Sequence, residues 1–274
     1  MKNFDLAIAY RIYPKISKTP FVYPSDKLQL ARLGVKSFRE SLSGLTFKVF
    51  FILDNCPENY ERMILEFFDE KDVEFIRYNG VGNLATFGIQ MDLLLKQTYS
   101  ENLFFMEDDY LFRPSVVLKA LNFLKQDQVS FVTPYDHIDN YTMDIHQQHK
   151  YKIVVYEDYH WRTTASTCMT FLTKKKALIE TENVFRSYCN GNWDSSLWFA
   201  LTKHNVFKLN SLAYIFTNRM LFKSVLLSWI KTWPQILLGK RFDLWLPIPS
   251  FATHMESTGL APVVNWQDIK TSLD

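Results

Sequence analysis

Across its first half the chain repeats one unit: a short apolar run, then a stretch with apolar residues three and four apart, then another run. FDLAIAY (4–10) reads as a strand. After it, Leu28, Ala31, Val35, Phe38 and Leu42 share one face of a helix that Ser25 or Asp26 can cap. TFKVFFIL (46–53) is almost continuously apolar, as expected of a strand buried on both faces. It stops at Asp54-Asn55-Cys56-Pro57, and a helix follows to about Phe68. VEFIRY (73–78) is the third strand, Leu84 to Gln97 the next helix, and NLFFM (102–106) the fourth strand. Pro114 opens a further helix, where its missing amide costs little, and VSFVTP (129–134) is a fifth strand. This alternation predicts an α/β fold, a mostly parallel, Rossmann-related sheet flanked by helices. Ligands of such sheets bind beyond the carboxyl ends of the strands, near a topological switch point.

After about residue 135 the alternation degrades. Residues 136–160 predict an irregular or hairpin region, 166–173 a strand, 174–183 and 193–203 helices, and VFKLNSLAYIF (206–216) a strand or strand pair. No Gly/Ser/Pro-rich linker interrupts the 274 residues, so a single domain with two halves, 1–134 and 135–274, is expected. A formal charge of +2 argues against a dedicated nucleic-acid binder. Cys56, Cys168 and Cys189 form no C-x-x-C pair, which points to a reducing compartment. The first apolar stretch is broken by Asp5, too short for a signal peptide, and no run reaches the ~18 apolar residues of a membrane span, so a cytoplasmic protein is expected. Residues 221–246 mix Trp229, Trp233 and Trp245 with Lys223, Lys231, Lys240 and Arg241. They predict a helix hairpin covering the sheet or an acceptor cleft, or else a helix in a membrane interface giving peripheral membrane contact.

The fourth strand ends in three acids, Glu107, Asp108 and Asp109. Adjacent like charges resist burial, so either water or a divalent cation holds them. Mg²⁺ or Mn²⁺ commonly takes one or two carboxylates plus substrate phosphates. Glu107 and Asp109, two apart, project to the same side of an extended chain. Asp54 and the Tyr10-Arg11 pair also lie at strand ends. Asp194, in GNWDSSLW, stands at a helix start, either as an N-cap or as a carboxylate placed to take a proton. Its neighbour Trp193 offers a flat face to a sugar ring, or is a core aromatic. His254, in SFATHMEST, is an ordinary loop histidine or an additional metal ligand. Trp161-Arg162 places a flat aromatic face beside a cation. His146 and His149 have zinc-like spacing, but no third ligand accompanies them.

Taken together, AIAYRIYP, FFILDN, NGVGNLATFGIQMDLLL, FFMEDDYLF, GNWDSSLWF and SFATHMEST resemble nucleotide-sugar-dependent glycosyltransferases of the GT-A fold, particularly the inverting family-two group. The resemblance covers residues 4–133 well and the remainder only through short motifs. It implies that Asp109 is the principal ligand of a Mn²⁺ or Mg²⁺ ion and that Glu107 fills the place of the first Asp in D-x-D. His254 would add a third ligand, and Asp108 would lie in the donor site. Asp54 would hydrogen-bond the nucleotide base, with Tyr10 beside or stacked on it and Arg11 nearby, and Asn83 would face the ribose or sugar. Asp194 would be the catalytic base, and Trp193, Trp161 and Arg162 would meet the acceptor. The implied function is metal-dependent transfer of a hexosyl or N-acetylhexosaminyl group, with inversion, from a nucleoside-diphosphate sugar to a glycan or lipid-linked glycan. Two rivals are a sugar-nucleotide-forming nucleotidyltransferase and a non-catalytic carbohydrate-binding protein. The first usually has a Gly-rich basic loop after the first strand, where this chain reads YRIYPKISKTP, with Lys15 and Lys18 but no glycine.

Overall fold

A computed structural model describes residues 4–16, 19–143, 146, 148–208 and 217–273. Strands β1 (Leu6–Ile12), β2 (Phe47–Asp54), β3 (Val73–Tyr78) and β4 (Asn102–Glu107) are the expected apolar runs. They pair in parallel in the order β3-β2-β1-β4. The connections are α1 (Lys27–Ser41), α2 (Asn59–Leu65) and α3 (Asn83–Lys96). Every residue of β1 is buried, which explains why its sequence is apolar without alternation. Asp26 is the residue that caps α1, its side chain accepting from the Gln29 amide at 3.0 Å.

Next come β5 (Tyr110–Phe112), α4 (Val116–Leu124) and β6 (Phe131–Val132), and the second half opens with the single turn α5 (Asp139–Thr142). Then come the hairpin β7 (Ile153–Tyr156) and β8 (Tyr159–Thr164), β9 (Phe171–Lys174), α6 (Lys175–Cys189) and α7 (Asp194–Thr202). Last are α8 (Arg219–Leu237), β10 (Leu244–Ile248), β11 (Ala252–His254) and α9 (Trp266–Leu273). One nine-stranded sheet runs β3-β2-β1-β4-β9-β6-β10-β8-β7. Its first four strands are parallel. β9 is antiparallel to both β4 and β6, and β8 to both β10 and β7, so the sheet is mixed. Apolar clusters fill both faces. Phe38, Ile64, Leu121 and Trp266 pack on one; Phe87, Phe185, Trp198 and Leu221 pack on the other.

Two expectations shift. The strand foreseen at 166–173 begins only at Phe171, because Thr167 and Thr170 turn their hydroxyls to Thr133 and Glu107. Residues 166–170 therefore pass the sheet end and bring Cys168 and Met169 to the cleft described below. The hairpin foreseen at 221–246 is one helix bent at Thr232 (φ −141°), two residues before Pro234, followed by the buried strand β10. Proline both lacks an amide hydrogen and crowds the carbonyl four residues back, which accounts for the bend. Most of the strand expected at 206–216 lies outside the described residues. Among those residues no helix is long and apolar enough to cross a membrane.

Candidate active site

A cleft of about 540 Å³ opens at the carboxyl ends of the parallel strands. Three of its acids are already engaged by the chain, two of them by cations. Arg11 and Glu107 are register partners on β1 and β4, and Arg11 Nη2 donates to Glu107 Oε1 at 2.6 Å. Thr170 Oγ1 donates to the other Glu107 oxygen at 3.2 Å. Asp108 holds the Lys27 ammonium at 2.9 Å and accepts from the Tyr13 amide at 2.9 Å. Burial and the neighbouring Asp109 push the Asp108 carboxyl up, against the pull of Lys27. Asp54 accepts from the amides of Gly80, Val81 and Gly82 at 2.7, 2.9 and 2.8 Å. That cradle needs left-handed backbone at Gly80 and Gly82 (φ +77° and +86°), which glycine adopts without strain.

Asp109 differs. Its Oδ2 lies 2.9 Å from His254 Nε2, while its Oδ1 is buried with no hydrogen-bond partner. Burial raises the pKa of such a carboxyl, but the charge and hydrogen bond of His254, with Lys27 and Arg11 behind, hold it at about 2. The pair meets because β11 runs antiparallel to β5, with His254 opposite Tyr110, and because the Met255 amide donates to the Asp109 carbonyl at 2.7 Å. An unsatisfied buried oxygen in a folded chain calls for an explanation, and a cation supplies one. The 2.9 Å contact between Oδ2 and Nε2 is a carboxylate–imidazole hydrogen bond; Oδ1 is the oxygen left to meet a cation, and a neutral His254 could join it there by giving up that bond. Glu107, expected in the first position of D-x-D, has each oxygen engaged, one by Arg11 and one by Thr170. Among the described residues no group of three His, Cys, Asp or Glu is arranged to hold a metal alone, so further ligands would come from water or substrate.

The opposite wall carries Asn83 and Tyr188, joined by a 2.9 Å hydrogen bond from Asn83 Nδ2, and Asp194 at the first residue of α7. Trp193 occupies the cap position of that helix, and Asp194 accepts from the Ser195 amide at 2.6 Å. Lys15 adds a positive charge to the lining.

The remaining sequence candidates lie elsewhere. Tyr10 is fully buried, packed on Phe38 and Phe51 with centroids 5.5 and 5.2 Å apart. Successive strand residues face opposite sides, so Arg11 enters the cleft and Tyr10 the core, where it cannot stack on a base. Trp161 is also core, parallel to Phe123 at 3.9 Å. Arg162 is buried, paired with Asp136 at 2.9 Å between the rings of Tyr141 and Tyr151. Both belong to β8, four strands beyond β4, and neither lines the cleft. Trp193 lies under the Lys223 ammonium at 4.1 Å, outside the cleft lining. Sequence reasoning passed over Lys27, Cys168 and Tyr188. Tyr188 escaped because α6 runs to Cys189, beyond the end foreseen at 183.

No family model and no curated protein matches the chain. Among solved structures it is similar to a mannosyltransferase from Pyrobaculum calidifontis in complex with GDP-Man and Mn²⁺ (11% identity, 74% of this chain and 53% of that one, TM-score 0.46). The chain thus spans about half the length of that enzyme. It is also similar to the galactosyltransferase LgtC in complex with donor and acceptor sugar analogues (9% identity, 97% and 95%, TM-score 0.46). A third is S. aureus TarS (11% identity, 73% and 56%, TM-score 0.41). All three TM-scores lie below 0.5, so the functional reading rests on the cleft itself.

Proposed function

We propose that the protein is a divalent-metal-dependent glycosyltransferase that moves a sugar from a nucleoside-diphosphate donor to an acceptor hydroxyl with inversion. The observation that carries this reading is the buried, unpartnered Asp109 oxygen beside His254, at the bottom of a cleft that also holds Lys15, Lys27 and Asp194. Asp109 and His254 would hold Mn²⁺ or Mg²⁺, whose contribution is to offset charge developing on the departing diphosphate. Lys15 adds to that positive field, and Lys27 does so to the extent that Asp108 leaves it unneutralised. Asp54 fixes the loop that starts α3, and with it Asn83, at the nucleotide end.

Asp194 is the base. Its carboxylate takes the proton of the acceptor hydroxyl as the oxygen bonds to the anomeric carbon. The bond from that carbon to the diphosphate oxygen breaks on the opposite side, and its electron pair leaves with the phosphate. A single displacement of this kind inverts the anomeric centre. Residues 1–134 hold the donor. Residues 135–274 shape the acceptor side and lend His254 to the metal. The acceptor is a hydroxyl of a glycan or lipid-linked glycan.

Turnover of UDP-, GDP- and dTDP-sugars with manganese, magnesium or chelator tests the scheme. Release of nucleoside diphosphate should need metal. Asp194→Asn should lower kcat by ~10²–10⁴-fold while leaving metal-dependent diphosphate binding in place. Nucleotide binding indifferent to manganese would remove the metal role. Consumption of a nucleoside triphosphate and sugar phosphate, with pyrophosphate released, would establish the nucleotidyltransferase instead.

A further inference from the structure

The helix α8 is apolar on both faces. Its inward face buries Leu221, Val225 and Ile236 in the core and, between them, the hydroxyls Ser224, Ser228 and Thr232. Ser228 Oγ donates to the Ser196 carbonyl at 2.6 Å, Thr232 Oγ1 to the Ser228 carbonyl at 2.6 Å, and Ser224 Oγ meets Ser195 Oγ at 2.9 Å. Its outward stripe, at spacings of four, three and four, is Leu226, Ile230, Trp233 and Leu237, which are 44, 61, 51 and 55% exposed, and Leu238 beyond them is 81% exposed. The inner face is that of an ordinary surface helix; the outer one is not, because such a helix turns polar residues to water. Large apolar side chains held outward in one row mark a surface that meets an apolar phase.

The charge pattern identifies that phase. From residue 195 to 242 there is no Asp or Glu, while Lys203, Lys208, Arg219, Lys223, Lys231, Lys240 and Arg241 supply seven positive charges. Of the 31 Lys and Arg, these seven leave 24 elsewhere, against all 29 Asp and Glu, so the rest of the chain is net negative. Lys240 and Arg241 reach Glu180 and Asp243, but among the described residues Arg219, Lys223 and Lys231 have no ion pair. An apolar stripe with Trp on it, flanked by cations without acids, is complementary to an anionic lipid surface.

We propose that the outer face of α8 docks on an anionic bilayer, with the helix lying along the membrane plane. Its 19 residues would extend about 28 Å along the interface at ~1.5 Å per residue. Pro234 turns the last stretch, so Leu237 and Leu238 end the row. The inward hydroxyls fasten α8 to α7, whose first residue is Asp194, and Lys223 sits over Trp193. Docking therefore brings the Asp194 side of the cleft toward the headgroups. Only on the reading of sugar transfer given above does this select a lipid-borne acceptor; the docking itself does not depend on catalysis.

Co-sedimentation of the full chain with vesicles tests it without any activity measurement. Vesicles of phosphatidylcholine mixed with phosphatidylglycerol should bind the protein, and phosphatidylcholine alone should bind it much more weakly, with the difference removed by high salt. The triple substitution Leu226→Ser, Ile230→Ser, Trp233→Ser changes only exposed positions. It should keep the far-ultraviolet circular dichroism and thermal midpoint yet bind at least ~10-fold more weakly. Arg219→Glu with Lys231→Glu should weaken binding to the anionic vesicles alone. No sedimentation with either vesicle, or equal binding by the triple variant, overturns the proposal. A dimer in light scattering that the triple variant abolishes, with no vesicle binding, also overturns it and assigns the face to a second copy of the chain.

Discussion

Arg11 and Glu107 stand opposite each other on neighbouring parallel strands, and their side chains meet at 2.6 Å. The same guanidinium donates to the Asn83 carbonyl at 2.8 Å, so one arginine ties the ends of β1 and β4 to the start of α3. The first acid of the triplet is thereby tied into the scaffold, and on the proposed reading the third is the one left to hold a cation.

Removing one member of this pair leaves a buried charge without its partner. Arg11→Met should cost about 3–5 kcal/mol of unfolding free energy, and the double substitution Arg11→Met with Glu107→Met clearly less than the sum of the two single changes. Urea unfolding of the four proteins in the cycle reads the coupling directly.

The division of labour among the acids predicts a contrast in metal response. Asp109→Asn should reduce manganese-dependent binding of a nucleoside diphosphate by more than ~100-fold, the scale of several kcal/mol. Glu107→Gln keeps an acceptor for Arg11 and, with Thr170 Oγ1 now accepting, a reversed second bond; it should cost no more than the ~10–100-fold of a group outside the coordination sphere. Calorimetry with and without manganese measures both. An equal loss in the two variants would return Glu107 to the metal.

These two acids show what was legible in the sequence. The apolar runs and their acidic ends marked the strands and the edge of the sheet where ligands bind, because burial on both faces leaves a local signature. That Glu107 faces an arginine depends on β1 lying beside β4, a pairing between residues nearly a hundred positions apart. Tyr10 and Arg11 were indistinguishable for a related reason. When both sides of a strand are covered, alternation no longer tells core from cleft. His254 could be singled out by type, but its place beside Asp109 follows from the β5–β11 pairing, which three-residue strands do not announce.

Trp161 illustrates the consequence of misplacing a residue. It stacks on Phe123 inside the core, so Trp161→Ala should destabilise by about 3–5 kcal/mol. The fraction that remains folded should keep an unchanged KM for acceptor. Chemical denaturation and steady-state kinetics on one preparation separate the two effects.

Acid should weaken the fold through His146 and His149. Burial, the largest influence on each, depresses both to about 4. In the unfolded chain a histidine titrates near ~6.5. Between these values the unfolded state binds more protons, so stability falls as pH drops from about 6.5 to about 4 and is flat with respect to these groups above neutrality. The loss should be on the order of 2–3 kcal/mol for each histidine. His146→Gln should flatten roughly half of the slope in a pH series of thermal midpoints.

The contact between Asp109 and His254 spans most of the polypeptide. During synthesis the parallel strands emerge early, yet the imidazole that completes the grip arrives only with β11. Polypeptides cut off ahead of Ala252, whether by a stalled ribosome or by a protease, would retain the acid and lose its nitrogen partner. On the glycosyltransferase reading such fragments bind metal and nucleotide far more weakly, which would keep half-made chains from consuming activated sugar.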